Sequence, residues 1–456
     1  MRRVLLSVLS VALLVGVAPA ARAGLVPVAD GLPLAPLTSL EQLPVAAGVT
    51  SDNLTYLGTI PLDSPAVGAR VVTVDGQRRL YVSGVPGVSI YDVTQPETPA
   101  LLGHLALPNW ENEDVSVSAD GDWTIVTEFN GLLYVHVVDT RNPRLPLLAS
   151  TLVLETAGHT SECLDPGCDW VYGSEGQILD LRDKANPVVL TERWTELLGV
   201  PDGHAINIDA AGLATIDTTP LTLADLSDPL HPQVLAQAPA QEQEENGTAY
   251  QHNTLRPDAD RWQARTKKRD QRDPALRPGE LILGNGETNF TGTCNEGSGP
   301  FSTWSARDFD QAAPLQVLDV FRPVSGTYAN GDPAVNALGC SGHWFSTQTV
   351  GDGDQLVAAA WYEHGTRLLQ VDGQTGRISQ LGFHQPIVGS ASAAHWIDDE
   401  HIYVIDYERG IDILRYDPDA AAPSVAETDA SWLAKAGAVS PLAQSERQVC
   451  QLFATT

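Results

Sequence analysis

The stretch Val88-Ser-Ile-Tyr-Asp-Val-Thr-Gln-Pro-Glu-Thr-Pro99 recurs along the chain and is the strongest indication of the fold. It combines an alternating apolar strand, an aspartate and a proline-containing turn. Three related stretches follow it: 135–146 (VHVVDTRNPRLP), 177–187 (QILDLRDKANP) and 221–232 (LTLADLSDPLHP). Their aspartates, at positions 92, 139, 180 and 225, are 41 to 47 residues apart. A period of this length is typical of repeat folds such as propellers.

Strand-sized apolar runs without helical periodicity fill each period and predict about four strands per unit. We therefore expect an all-β fold, a seven-bladed β-propeller of four-stranded antiparallel blades. The blades are expected to begin near residues 66, 112, 158, 203, 251, 342 and 394. The last blade shows three strands only, and 54–62 is expected to supply the fourth and close the ring. Counts of six or eight blades stay open, because blade five carries long insertions.

The quoted repeats resemble the LVIVD-repeat family of β-propellers, whose motif is a hydrophobic strand, an aspartate and a proline-containing turn. The resemblance is clearest over residues 80–235 and weaker over 340–416. More distantly, the histidine pattern described below is similar to that of the selenium-binding-protein and methanethiol oxidase propellers. That second resemblance implies copper as a cofactor.

The N-terminal residues have the features of an export signal. Arg2 and Arg3 precede an apolar run over 4–17, and small residues at 21–23 provide a cleavage site. The run is too short to span a bilayer, and no later stretch is long and apolar enough to do so. We therefore predict a secreted, extracellular protein without a membrane span. The net charge of −30 disfavours nucleic acid as a partner.

The expected organisation is a signal peptide (1–23), an N-terminal extension (24–52), the propeller (53–418) and a C-terminal tail (419–456). Blade five carries insertions at about 261–278, 288–303 and 322–341. The first is a basic stretch in an acidic chain, and we expect a solvated or self-docking loop. The other two are expected to open on the face that carries the histidines, with apolar walls from Phe290, Phe301, Trp304 and Trp344.

Five cysteines in an exported chain indicate disulfides. Cys163 and Cys168 flank a turn and form the first expected pair. Cys294 and Cys340 lie in the two long loops of blade five and form the second. Cys450 is left over, either as a thiol or as an alternative partner in one of these pairs.

A histidine recurs where the innermost strand of a blade begins. The five positions are His159, His204, His252, His343 and His395, and Glu113 takes the corresponding place in blade two. Innermost strands line the central channel of a propeller, so these side chains are expected to converge at one mouth of it. Blade one has only the apolar stretch 66–72 at this point.

Glutamates recur at the turn after the second strand, which returns to the same face. The set is Glu128, Glu175, Glu287, Glu363 and Glu408, with Asp217 in blade four. A carboxylate behind a metal-bound histidine fixes the tautomer of its ring, so we expect these residues to support the histidines. His364 is a further candidate on this face. The remaining histidines are expected at the surface: His104, His136, His231, His384 and His401.

Imidazole ligands suit copper, iron, nickel and zinc, and we favour a transition metal, with copper or iron preferred to zinc. Glu113 is a candidate ligand or acid–base group. The leading hypothesis is a metal-dependent oxidoreductase that acts on a small molecule at the channel mouth. The alternative is a non-catalytic scaffold that binds an extracellular protein or a ligand and whose repeated histidines are structural. Under either hypothesis we expect a monomer. Hydrolysis with glutamate as base is a third possibility that no motif supports.

Overall fold

The computed structural model describes residues 48–62, 65–107, 113–129, 133–154, 158–287, 299–307, 309, 314–323, 340–386 and 389–420. The predicted signal peptide, most of the N-terminal extension and nearly all of the C-terminal tail lie outside these ranges and stay predictions. Within them no helix is long and apolar enough to cross a membrane.

The described strands form seven antiparallel sheets. Two strands precede the first blade: β1 (Gly48–Thr50) and β2 (Leu54–Ile60). Blades one and two contain β3 (Ala66–Val74), β4 (Gln77–Gly84), β5 (Gly87–Asp92), β6 (Ala100–Ala106), β7 (Val115–Val117), β8 (Trp123–Phe129), β9 (Leu133–Asp139) and β10 (Leu147–Leu154). Blades three and four contain β11 (Ser161–Cys163), β12 (Trp170–Gly173), β13 (Gln177–Asp180), β14 (Val188–Arg193), β15 (Ile206–Ile208), β16 (Leu213–Ile216), β17 (Thr222–Asp225) and β18 (Gln233–Gln237).

Blade five contains β19 (Gln251–Leu255), β20 (Leu281–Gly286), β21 (Phe301–Ser305) and β22 (Gln316–Phe321). Blades six and seven contain β23 (Phe345–Val350), β24 (Asp354–Ala360), β25 (Thr366–Val371), β26 (Ile378–Pro386), β27 (Ala391–Trp396), β28 (His401–Asp406) and β29 (Gly410–Tyr416). The short helices are α1 (Trp194–Leu198), α2 (Ala240–Asn246) and α3 (Lys268–Arg272), with a 3-10 turn at Ala259–Arg261.

The predicted seven-bladed propeller is confirmed, and so is its closure by an N-terminal strand. β2 pairs with β29 as the outer strand of blade seven, with Leu54 opposite Tyr416 and Ile60 opposite Ile411. No sequence pattern predicted β1, which adds a fifth strand to the outer edge of blade six. Closure matters because an unpaired strand edge invites association with other chains.

The repeated aspartate ends the third strand of a blade and holds the turn that follows. In blades one to four its carboxylate Oδ1 accepts a hydrogen bond from the backbone N–H two residues later. The four N···O distances run from 2.9 to 3.2 Å, at Thr94, Arg141, Arg182 and Ser227. Aspartate side chains commonly stabilise turns in this way. The motif therefore repeats because each blade needs the same turn.

The hydrophobic core lies between neighbouring blades rather than at one centre. Val135 and Val137 of β9, for example, pack with Val171 and Leu179 of the next blade. These four side chains are at most 1% exposed. Blade-against-blade packing fixes the rotation of each blade about the channel, and thereby the position of each inner-strand residue.

The basic insertion of blade five folds back on its own blade. Arg265 is buried, and its guanidinium donates to both carboxylate oxygens of Glu280 at 2.6 and 2.5 Å. It also donates to the carbonyl oxygens of Asp270 and Asp273 at 2.6 and 2.9 Å. The first insertion is therefore a self-docked loop in the part that Arg265 anchors.

One predicted disulfide is confirmed and the other is partly described. Cys163 and Cys168 are bonded across their turn, with Cα atoms 4.7 Å apart. Cys340 is also disulfide-bonded. Its predicted partner Cys294 lies outside the described residues, as does Cys450, so that pairing stays a prediction.

Candidate metal centre

Five blades each place one polar side chain at the same end of the inner strand. Glu113, His159, His204 and His343 each stand two residues before β7, β11, β15 and β23, while His252 is the second residue of β19. Each of these residues therefore lies at the N-terminal end of the inner strand of its blade. Residues that are far apart in the sequence therefore lie close together around the channel.

The four histidines surround a single oxygen of Glu113. Their Nε2 atoms lie 3.0 to 3.5 Å from Glu113 Oε2, in the order His252 (3.0 Å), His204 (3.3 Å), His343 (3.3 Å) and His159 (3.5 Å). The Nε2 atoms of His159 and His204 are 3.0 Å apart. Glu113 thus stands at the centre of the cluster rather than beside it.

Two of the rings have their tautomer set by main-chain carbonyls. His204 Nδ1 lies 3.1 Å from the carbonyl oxygen of His252, and His343 Nδ1 lies 2.6 Å from that of Ser392. A carbonyl oxygen only accepts, so each Nδ1 must carry the hydrogen. In the neutral ring Nε2 then presents a lone pair towards Glu113 Oε2. His343 Nε2 is buried there and has no hydrogen-bond partner.

Burial makes it energetically costly to keep charged side chains in this cluster. The side chains of His252 and His343 are fully buried and that of Glu113 is 1% exposed. Burial alone would raise the pKa of Glu113, but the charges of His343 and His159, with hydrogen bonds from His159 and His204, hold it well below its usual range. Burial lowers the pKa of His252 well below its ordinary value, and its histidine neighbours add to the effect.

A cation fits between these groups. Imidazole nitrogens and a carboxylate that meet across about 3 Å need a positive charge between them, which a proton on an imidazole or a bound cation supplies. Two groups of three that could hold a metal ion contain Glu113, one with His159 and His204 and one with His252 and His343. The main-chain bonds to Nδ1 meet the usual requirement for histidine ligands of a metal.

The structure does not bring His395 into this cluster. Ser392 occupies the corresponding place in blade seven, since its carbonyl receives His343 Nδ1 as the carbonyl of His252 receives His204 Nδ1. His395 lies three residues further along β27. Burial and then the positive charge of Arg70 lower its pKa from the ordinary 6.5 to about 4. Ala394-His395-Trp396 resembles Gly342-His343-Trp344, and this resemblance led to the wrong alignment of blade seven with blade six.

The predicted glutamate set divides into different environments. Glu287 joins the cluster, with Oε2 4.0 Å from His252 Nε2, and is part of a third candidate group with His204 and His252. Glu175 is half-buried, and burial raises its pKa, with a further contribution from Asp202. Its side chain lies beside Gly158, next to His159.

The other members of that set do not join any candidate group among the described residues. Glu128 is buried, but its Oε2 lies 3.1 Å from Nε2 of His136 on the neighbouring strand β9. Glu363 is buried in the turn between β24 and β25, whereas Glu408 is partly exposed in the turn after β28. Glutamates at the same position in the turn therefore point in different directions, because the turns differ in length and in backbone conformation.

The surface assignment was wrong for three of the outer histidines. His136 is 4% exposed, His384 2% and His401 9%, and each faces a carboxylate. Outer strands still face the next blade on one side, which buries alternate residues. His104 and His231 are exposed as predicted, and His231 lies beside Asp228. His364 is fully buried next to Glu363 but joins no candidate group.

Aromatic side chains close the cluster, and one of them escaped prediction. The Trp344 ring meets the His252 ring edge-on at 5.0 Å between centroids, in agreement with the expected apolar wall. Phe301 and Trp304 lie instead within hydrophobic cores of blade five, and Phe290 lies outside the described residues. Tyr362, directly before Glu363, packs 4.5 Å from the His343 ring. Its sequence context offered no signal, because it stands next to the repeated glutamate.

Comparison with protein-family models and with curated proteins finds no match. Among solved structures, the chain is similar to the Cps50 (Swd1) β-propeller domain of Myceliophteria thermophila. The TM-score is 0.50 at 14% identity, and the match covers 81% of this chain and 100% of that domain. At this identity the likeness shows the β-propeller fold alone.

Proposed function

We propose that this propeller holds one transition-metal ion through His159, His204, His252 and His343, with Glu113 as carboxylate ligand. The observation that carries the proposal is the set of four Nε2 atoms within 3.5 Å of Glu113 Oε2. In the neutral rings of His204 and His343, main-chain carbonyls hold the Nδ1–H groups and leave Nε2 as the atom that can bind a metal. A purely structural histidine would not need three similar neighbours around one buried carboxylate.

The donor set favours copper or iron over zinc, because four imidazoles and one carboxylate exceed the four-coordinate sites in which zinc is usually found. Bound copper or iron would supply redox or oxygen-dependent chemistry at an open coordination position. We therefore propose an oxidoreductase. The carbonyls of His252 and Ser392 orient the rings of His204 and His343. Trp344 and Tyr362 pack on the rings of His252 and His343 and shield them from water.

Access to the centre favours a small molecule. The His159 side chain is 14% exposed, whereas those of His204, His252 and His343 are exposed by 4% or less. A substrate would approach along His159, where Tyr250 also presents a ring that is 43% exposed and lies 6.0 Å from His204. A folded protein partner could not reach ligands that are this deeply buried.

We also propose that the chain is an exported member of the LVIVD-repeat propellers. The turn aspartates of blades one to four support this assignment, since they recur in the motif that defines the resemblance. The Cys163–Cys168 disulfide supports export, because such bonds persist in oxidising compartments.

Metal content tests the central proposal. Protein purified from its native compartment should contain about one copper or iron per chain by elemental analysis, and the double variant His204→Ala/His343→Ala should lose it. His231→Ala, at a histidine whose side chain is 79% exposed, is the matched control and should retain the metal. Native protein without metal, together with normally folded ligand variants, would overturn the proposal and favour the scaffold alternative.

A further inference from the structure

A second buried carboxylate of the cluster, Glu287, lies beside the proposed metal ligands. Glu287 follows β20 directly, is 8% exposed, and its Oε2 lies 4.0 Å from His252 Nε2. Glu113 Oε2 lies 3.0 Å from the same nitrogen. Two buried carboxylates therefore flank His252 Nε2. Four histidines surround the nearer one, Glu113, whereas they do not surround Glu287.

Tyr362 holds that second carboxylate from the other side. The Tyr362 hydroxyl donates a hydrogen bond to Glu287 Oε1, while its fully buried ring packs 4.5 Å from the ring of His343. The residue thus contacts one proposed ligand and restrains a carboxylate next to another. A buried hydroxyl that donates to a carboxylate stabilises the charge of that carboxylate where it stands.

The backbone of Tyr362 is held in a conformation that side chains rarely adopt. Its φ angle is +30°, in the left-handed region that is uncommon for bulky residues. The N–H groups of Gly365 and Ala391 both donate to its carbonyl oxygen at 2.9 Å. Backbone strain of this kind persists where the surrounding structure determines it, often at functional sites. These two hydrogen bonds therefore hold the backbone from which the tyrosine side chain projects.

We propose that Tyr362 is a positioning residue that keeps Glu287 outside the coordination sphere and so preserves an open position on the metal. This inference rests on the proposed metal centre. With the hydroxyl bond in place, Glu287 stays a neighbour of His252. Without it, the buried carboxylate has lost a donor, and the nearest positive charge is the metal. Glu287 then moves onto the ion and occupies the position that an external ligand would use.

The test uses the intact chain loaded with Cu²⁺ and titrated with azide, a small anion that binds to open positions on copper. Binding is followed by the azide-to-copper charge-transfer absorption and by electron paramagnetic resonance. Wild-type protein should bind azide. Tyr362→Phe keeps the ring and the backbone, retains copper, and should bind azide about 10- to 100-fold more weakly. Circular dichroism and thermal unfolding establish that the variant is folded.

A cycle with Glu287 separates positioning from general damage. Glu287→Gln removes the competing carboxylate, so both Glu287→Gln and Tyr362→Phe/Glu287→Gln should bind azide as the wild type does. Unchanged azide affinity in Tyr362→Phe, or a loss that persists in the double variant, would overturn the positioning assignment. A wild-type chain that retains no copper would instead overturn the metal centre on which it rests. Tyr172→Phe removes a buried hydroxyl that donates to the carbonyl oxygen of Pro229, outside the histidine cluster. It is the control and should leave azide binding unchanged.

Discussion

His395 and Ser392 lie three residues apart on β27, and only the structure tells which of them faces the channel. The sequence Ala-His-Trp at 394–396 resembles Gly-His-Trp at 342–344, which made His395 the natural candidate. The pairing of β27 with β28 shifts between Ala391 and Ala393, as the pairing of β19 with β20 shifts between Gln251 and Asn253. Ser392 therefore corresponds to His252, and the sequence pattern alone does not show this register.

The corrected position of His395 leads to a pH prediction. Its pKa falls from 6.5 to about 4 in the folded chain, through burial and the charge of Arg70. Between these values the unfolded chain binds a proton that the folded chain does not, so stability falls as the pH falls through this range. The wild type should lose up to about 1.4 kcal/mol per pH unit more than His395→Gln.

Urea unfolding of the metal-free proteins at several pH values between 6.5 and 4 measures this difference. His231→Gln, an exposed control, should show the wild-type slope. Parallel stability curves for wild type and His395→Gln would contradict the buried, unprotonated state of this imidazole.

Among the strands, the repeat predicted the elements within each blade but little of the strand pairing that closes and extends the ring. The turn aspartates and the closing strand β2 followed from the recurring pattern. The strand β1 did not, because three residues (Gly48–Thr50) carry no periodic signal. The seam that β1 and β2 form with blades six and seven contains a buried polar cluster around Asp412 of β29.

Asp412 should make a large contribution to closure of the ring. Its side chain is 1% exposed, receives hydrogen bonds from Arg409 at 2.8 and 3.0 Å, and accepts another from Thr59 of β2. Asp412→Asn removes the charge that compensates the mostly buried Arg409. Breaking a buried ion pair costs about 3–5 kcal/mol, and chemical denaturation should show a loss of that size.

A matched pair near the surface gives the control for Asp412. Asp139 binds Arg141 in the same Asp–Arg manner, but the Arg141 side chain is 61% exposed. Asp139→Asn should therefore cost less than about 1 kcal/mol. Equal losses in the two variants would mean that Asp412 does not tie β2 to the ring.

In the whole molecule, the ring of blades brings residues at a repeated position together in one candidate metal centre. The positions from Glu113 to His343 are spread over five blades, and only closure of the ring brings them to one point. The sequence placed them on one face, but it could not show that Glu113 Oε2 stands among four Nε2 atoms. It also could not separate Glu287, which joins the centre, from Glu128, which binds His136.

Anomalous X-ray scattering from crystals of the native protein tests the central claim most directly. Data collected at the copper and iron absorption edges should show one anomalous peak within about 2.0–2.3 Å of the Nε2 atoms of these histidines. The imidazoles would then contract around the ion, and Glu113 would withdraw from its present place among them. Density without a peak, with Glu113 Oε2 still in contact with all four Nε2 atoms at 3.0 to 3.5 Å, would contradict the proposed metal centre.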